Sequence, residues 1–199
     1  VMERLLEREG YGKIDSPEGA NVIILNTCSV RQHAEDRALG YMAALKRVRE
    51  ENPSVVFVLA GCVAQRLKSR IFEEIPFVNI VLGTDNILEL PKLIKKAIEK
   101  PRERFLATEV REDLPRLGEV LWCSSSLTGL VTIMRGCDNF CSYCIVPYVR
   151  GRERSRAVND IISEVEQKVA GGCKEITLLG QNVNCLLYTS DAADEEDSV

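Results

Sequence analysis

Two short, uninterrupted apolar runs limit what this chain can fold into. Val22, Ile23, Ile24 and Leu25 form one; Val55, Val56, Phe57, Val58, Leu59 and Ala60 form the other. Neither alternates with polar residues, so neither suits a sheet with one wet face. Short β-branched runs of this kind are buried strands of parallel sheets with helices on both faces. A helical pattern follows each run. After the first, Ser29 and Gln32 have the spacing of a capping box. Val30, Ala34, Ala38, Met42, Leu45 and Val48 then recur near one face, to about Glu51, and Pro53 stops the pattern. After the second run, a helix is predicted over about 63–75 and a third strand over 77–82. Gly83, Thr84, Asp85 and Asn86 close that strand, and a last helix covers 87–100 with Pro91 in its first turn. A short helix ending at Gly10 precedes them all. The alternation predicts a doubly wound parallel sheet, whose ligands bind outside the carboxyl ends of the strands. Cys28 and Cys62 each follow a run at that position. Packing is the ordinary reading of such thiols, and two are too few for a protein to hold an iron–sulfur cluster alone.

Residues 101–126 show no sustained period and read as a connector. Leu130, Val131, Thr132, Ile133 and Met134 then form a strand, Gly136 breaks it, and Cys137, Cys141 and Cys144 follow at offsets of four and three. Thiolates this close can hold one soft metal centre, either zinc or an iron–sulfur cluster. A closed zinc site normally has four ligands, so three local thiols leave one position open. The same offsets describe one face of a helix carrying buried cysteines. Gly136 before them and Pro147, expected to interrupt a helix, put the thiols on a loop over 136–149 instead. A zinc knuckle with a distant fourth ligand stays open. A helix capped by Asn159 or Asp160 runs to Ala170, Gly171 and Gly172 end it, and Ile176, Thr177, Leu178 and Leu179 form the next strand. Gly180, Gln181 and Asn182 stand at its carboxyl end. This is one β-α-β unit.

No apolar run approaches the roughly 18 residues of a membrane span, and no signal peptide is present, which excludes a membrane role. Eight cysteines without a secretory signal imply reduced thiols in the cytoplasm, hence metal rather than disulfides. Cys123, Cys173 and Cys185 read as ordinary thiols, and His33, the only histidine, as a polar helix residue. The net charge of −4 is uneven, since five acids crowd the last nine residues. Around the triple-cysteine loop, Arg135, Arg150, Arg152, Arg154 and Arg156 face only Asp138 and Glu153. That excess suits a phosphate or a carboxylate; a solvated arginine-rich loop is the plainer alternative.

C-x3-C-x2-C with Tyr143 before the last cysteine resembles the signature of radical S-adenosylmethionine (SAM) enzymes. The run from Gly136 to Arg156, GCDNFCSYCIVPYVRGRERSR, resembles the methylthiotransferase branch. So do Asn26-Thr27-Cys28-Ser29-Val30-Arg31, Gly61-Cys62-Val63-Ala64-Gln65-Arg66 and Thr177-Leu178-Leu179-Gly180-Gln181-Asn182-Val183-Asn184, in the family's order over nearly all of 1–184. The resemblance implies a truncated methylthiotransferase N-terminal domain (1–110), a linker (111–127) and the start of a radical SAM partial β/α barrel (128–184). Residues 185–199 resemble translated adapter DNA and are expected to be non-native.

It also implies two [4Fe–4S] clusters. Cys137, Cys141 and Cys144 would hold the one that binds SAM, with Tyr143, Gln181 and Asn182 as SAM contacts. Cys28 and Cys62 would hold part of an auxiliary cluster, whose third ligand lies in a segment expected to precede Val1. The family's chemistry cleaves SAM to a 5′-deoxyadenosyl radical, inserts sulfur at carbon 2 of an adenine and methylates it with a second SAM. Ser29-Val30-Arg31 and Ile145-Val146-Pro147-Tyr148 look most like the branch that modifies isopentenyladenosine beside the tRNA anticodon. Sister branches act on threonylcarbamoyladenosine of tRNA or on a ribosomal-protein aspartate. A zinc-stabilised RNA-binding module without catalysis is the alternative of another class. Expected partners are the tRNA anticodon loop and an electron donor such as flavodoxin or ferredoxin, acting on a monomer. Without most of the barrel and the family's C-terminal RNA-binding domain, the chain alone is expected to be inactive.

Overall fold

The computed structural model describes residues 1–111 and 127–183. The first part holds α1 (Met2–Arg8), β1 (Val22–Thr27), α2 (Gln32–Ala44), α3 (Lys46–Glu51), β2 (Val56–Gly61), α4 (Cys62–Leu67), α5 (Ile71–Glu74), β3 (Ile80–Leu82), α6 (Leu90–Glu99) and β4 (Phe105–Ala107). The strands form one sheet in the order β1-β2-β3-β4, parallel throughout. Every residue of β2 is buried, as expected of a central strand apolar on both faces. Phe57 and Leu59 point to one face, where Met42, Leu45, Val63, Leu67, Ile71 and Val81 pack. Val56, Val58 and Ala60 point to the other, against Leu90, Leu93, Ile94 and Ala97 of α6. Helices therefore cover both faces, as the doubly wound reading requires.

Several local expectations are corrected. The capping box does not form, because α2 starts at Gln32 with Arg31 as its extended N-cap residue, too late for Ser29 to cap it. Gln32 Nε2 instead donates to Asp36 Oδ1 at 2.9 Å. The helix over about 30–51 is two helices meeting at Leu45. Met42, Leu45 and Val48 are three residues apart, and each such step falls about 60° short of a full turn. The break lets all three reach the core. Val30 and Ala34, expected on that face, are exposed. The helix over 63–75 is interrupted at Lys68, which turns left-handed at φ 51°. The connector over 101–126 contains β4, the fourth strand of the sheet, within the expected limits of the N-terminal domain. The apolar residues of β4 stop at Arg104 and Thr108, so no extended apolar run marks it as Phe77 to Leu82 marks β3.

The second part holds β5 (Thr128–Thr132), β6 (Met134–Arg135), α7 (Val146–Arg150), β7 (Arg154–Ser155), α8 (Val158–Ala170) and β8 (Glu175–Leu179). β5 and β8 are parallel and α8 crosses between them, giving the expected β-α-β unit. Val131, Ile133 and Met134 are its buried centre, covered by Ile161, Val165 and Ile176. Pro147 does not interrupt a helix. It lies in the first turn of α7, where its missing N–H costs nothing. α8 begins one residue before Asn159, with Ala157 as an N-cap residue that makes no side-chain hydrogen bond. β6 and β7, antiparallel, were not anticipated. Among the described residues, no helix is long and apolar enough to cross a membrane. Most of the expected linker and the expected non-native tail fall outside the described residues.

Candidate metal centre

The carboxyl edge of the N-terminal sheet is closely tied together. Thr27 and Gly61 are paired in register, so Cys28 and Cys62 leave adjacent strands at the same level. Thr27 Oγ1 donates to Ala60 O at 2.6 Å and accepts from Val63 N–H at 3.2 Å. Gly61 has φ +94°, and a Cβ there would meet Asn26 Oδ1 at 2.7 Å and Thr27 O closer still. Only glycine lets the two thiol-bearing turns lie this close. Cys62 is buried and Cys28 exposed. Beside Cys28, Ser29 Oγ is buried without a hydrogen-bond partner among the described residues. Gln65, one turn into α4, is buried; its Nε2 donates to Thr108 O at 2.7 Å, and its Oε1 accepts from Thr84 N–H at 3.3 Å. The loops after β2, β3 and β4 are thus fastened to one another.

The triple-cysteine loop is closed at its neck. β6 and β7 pair Met134 with Ser155 and Arg135 with Arg154. Gly136 turns at φ +79°, and Cys137 N–H donates to Gly151 O at 3.3 Å. Glu153 N–H donates to Asp138 Oδ1 at 3.1 Å. Cys144 N–H donates to Cys141 O at 2.9 Å, which puts those two cysteines on one turn. Cys137 is buried at the neck, Cys141 exposed and Cys144 half-buried, all as free thiols. Phe140, left-handed at φ 45°, is held by Tyr148 edge-on at 6.1 Å and by the Arg152 guanidinium 4.8 Å from its centroid. Tyr143 is 90% exposed. Gln181, at the end of β8, keeps Oε1 buried and unpartnered among the described residues. Asn182, beside it, is engaged by its surroundings.

The loop rests on the first sheet's carboxyl edge. α7 packs on α4. Thr84 Oγ1 donates to Val149 O at 3.0 Å, and Arg135 Nη1 donates to Thr84 O at 3.1 Å. Asp85, 3% exposed, takes Arg135 at 3.1 Å and Arg154 at 2.9 Å. The arginine excess is corrected accordingly. Arg135 and Arg154 are spent on Asp85, and Arg156 pairs with Glu164 at 2.6 Å. Burial pushes the Arg135 guanidinium below its usual range; Asp85 opposes the fall, while Arg150 and Arg154 add to it. Arg152, stacked on Phe140, adds a loose, exposed pairing with Asp138 at 3.7 Å. Asp85 lies 50 and 69 residues from its arginines, and Glu164 lies on the next helix, eight residues past Arg156, so a count confined to the loop does not include them. His33 is exposed on α2.

Among the described residues, no three His, Cys, Asp or Glu side chains are drawn together at metal-binding range. The donor chemistry nevertheless fits a soft metal centre. Three free thiols share one closed loop, and Ser29 Oγ and Gln181 Oε1 at the strand ends have no hydrogen-bond partner among the described residues. Ligation would itself draw the thiols together, since metal binding and local folding are coupled.

Residues 1–83 match the uncharacterized protein family UPF0004, and residues 131–197 match the radical SAM superfamily. The chain is 47% identical over 184 residues to a tRNA-2-methylthio-N(6)-dimethylallyladenosine synthase of Geobacter sulfurreducens, covering 90% of this chain and 40% of that one. It is 43% identical over 203 residues to the enzyme of that name from Bacillus licheniformis, covering 98% and 38%. With the one from Clostridium beijerinckii it shares 43% identity over 192 residues, covering 90% and 40%. The chain spans about 40% of the length of these relatives.

Proposed function

The chain belongs to the radical SAM methylthiotransferases, and on that premise we propose that it is part of an enzyme that methylthiolates carbon 2 of isopentenyladenosine beside the anticodon of tRNA. The supporting observation is the seating of the triple-cysteine loop on the carboxyl edge of the first sheet, through Thr84 and Asp85 after β3 and through α4, the helix that Cys62 opens. Residues 1–110 form the N-terminal domain and 128–184 the start of the radical SAM domain.

Cys137, Cys141 and Cys144 would hold one [4Fe–4S] cluster, and Cys28 and Cys62 would contribute to a second. Bound there, the clusters and SAM supply the one-electron chemistry that attacks an unactivated C–H bond, which no side chain can do. The chain's own residues shape the site. Gly136 and Gly151 close the neck behind Cys137. Tyr143 offers an exposed ring to SAM, and Gln181 Oε1 an acceptor without a partner among the described residues. Arg152 and Arg150 remain for phosphate, as contacts that position rather than specify. The target adenine must be unstacked, which a tRNA loop allows. The enzyme works in the cytoplasm, as a monomer, with a flavodoxin- or ferredoxin-type electron donor.

The test is anaerobic reconstitution of the full-length gene product with iron and sulfide. The proposal expects a brown protein with about eight irons per chain, two [4Fe–4S] clusters' worth. A colourless protein that retains zinc and no iron would make it a structural zinc module.

A further inference from the structure

Asp85 lies on the loop after β3, outside every cysteine motif. Among the described residues, its carboxylate nonetheless joins the two halves through two arginines. Oδ1 accepts from Arg135 Nη1 at 3.1 Å, and Oδ2 accepts from Arg154 Nη1 at 2.9 Å and from Arg111 N–H at 3.2 Å. Arg135 lies 50 residues away in sequence and Arg154 69. They are a register pair across β6 and β7, the two strands that close the neck of the triple-cysteine loop. One buried acid therefore grips both sides of that neck. The arginines are 16% and 13% exposed, so water does little to replace Asp85. Neighbouring contacts work in the same direction. Thr84 Oγ1 reaches Val149 O on α7, and Arg154 Nη2 donates to Arg150 O at 2.7 Å. Arg154 also donates to Arg111 O, which fastens the chain leaving β4 to the same point.

We propose that Asp85 is a positioning residue that sets where the Cys137, Cys141 and Cys144 loop sits relative to the strand ends carrying Cys28 and Cys62. Its carboxylate is 3% exposed and taken up by Arg135, Arg154 and the Arg111 N–H. It acts through Arg135 and Arg154. The placement of the loop follows from the geometry alone. Its consequence for chemistry rests on the proposed function, in which groups held at the two sets of thiols must act on one adenine. A displaced loop would still hold a cluster that, given an electron from the donor, could cleave SAM, but fewer of those events would reach product.

The experiment is Asp85→Asn in the full-length enzyme. Asparagine keeps the size and removes the charge. The first readout needs no cofactor: amide hydrogen exchange of the metal-free protein, by mass spectrometry. Segments 134–137 and 151–156 should exchange at least tenfold faster, while 22–27, 56–61, 128–132 and 175–179 stay unchanged. A uniform rise, or a rise confined to 83–86, would overturn the proposal, since either describes a merely structural acid. The second readout is SAM cleaved per methylthiolated product in the reconstituted enzyme, which should rise severalfold over wild type. An unchanged ratio alongside the selective exchange would overturn the coupling of placement to chemistry. If no methylthio product forms even in wild type, the proposed function fails while the exchange result still stands or falls alone. Should Asp85→Asn not fold, Arg154→Met leaves the Asp85–Arg135 pair intact. It should show the same selective pattern at smaller amplitude, and its absence would refute the assignment.

Discussion

Replacing Gly136 by alanine should open the neck of the triple-cysteine loop. Gly136 sits at φ +79°, and a Cβ there would lie 2.5 Å from Gly151 O and 2.6 Å from the Arg152 carbonyl carbon, nearer still to its oxygen. Ordinary contact begins near 3.4 Å, so backbone must move by more than an ångström. Two costs add. Holding an alanine in the left-handed region costs about 1–2 kcal/mol. Forcing an extra methyl into packed surroundings adds roughly 1–3 kcal/mol. Gly172 separates them: its φ is +98°, but no atom lies within 4 Å of the added Cβ. Gly172→Ala therefore carries the backbone cost alone. At about 2–4 °C per kcal/mol for a domain of 150–250 residues, it should lower Tm by a few degrees, and Gly136→Ala by at least twice as much. Circular dichroism melts of the metal-free protein and iron per chain after reconstitution read both effects. Gly136→Ala should also lose the iron of the triple-cysteine site, because Cys137 N–H and Gly151 O separate, whereas Gly172→Ala should keep it. Equal melting and equal iron in the two variants would refute the reasoning.

Cys141→Ala should lower iron by about one cluster and abolish SAM cleavage, since each cluster is held by its own thiolates; unchanged cleavage would remove Cys141 from the ligand set. Tyr143→Ala, at a ring that is 90% exposed, should leave stability within about 0.5 kcal/mol while weakening SAM binding measured by equilibrium dialysis. Gln65→Leu should destabilise by about 2–4 kcal/mol in denaturant melts. It strands Thr108 O and Thr84 N–H, which the buried amide now serves at 2.7 and 3.3 Å.

The parallel sheet was legible because its strands are apolar on both faces and each leads into an amphipathic helix. β2 and its two cores follow from Val56, Phe57, Val58, Leu59 and Ala60 alone. The thiols were legible too, by spacing and by their place after strands. What escaped was short or distant. β4, β6 and β7 have three residues or fewer, and β4 and β7, unlike β3, have no extended apolar run around them to mark a strand. Pro147 looks like a breaker in sequence because its position within the helix depends on where the loop ends, which tertiary contacts decide. The arginines after the cysteines looked free because their acids, Asp85 and Glu164, come from β3's loop and from α8. Asp85 itself gave no signal beyond a turn-like Gly83, Thr84, Asp85, Asn86 sequence. Nothing in the described residues reads an isopentenyl group, so the substrate is carried by kinship rather than by a pocket.

That substrate is best tested by nucleoside mass spectrometry of tRNA from cells lacking the full-length gene. The account predicts loss of the 2-methylthio group with isopentenyladenosine accumulating in its place, and recovery when the full-length gene is returned. Unchanged methylthio-isopentenyladenosine, with the loss falling on threonylcarbamoyladenosine or on the ribosomal aspartate instead, would contradict it.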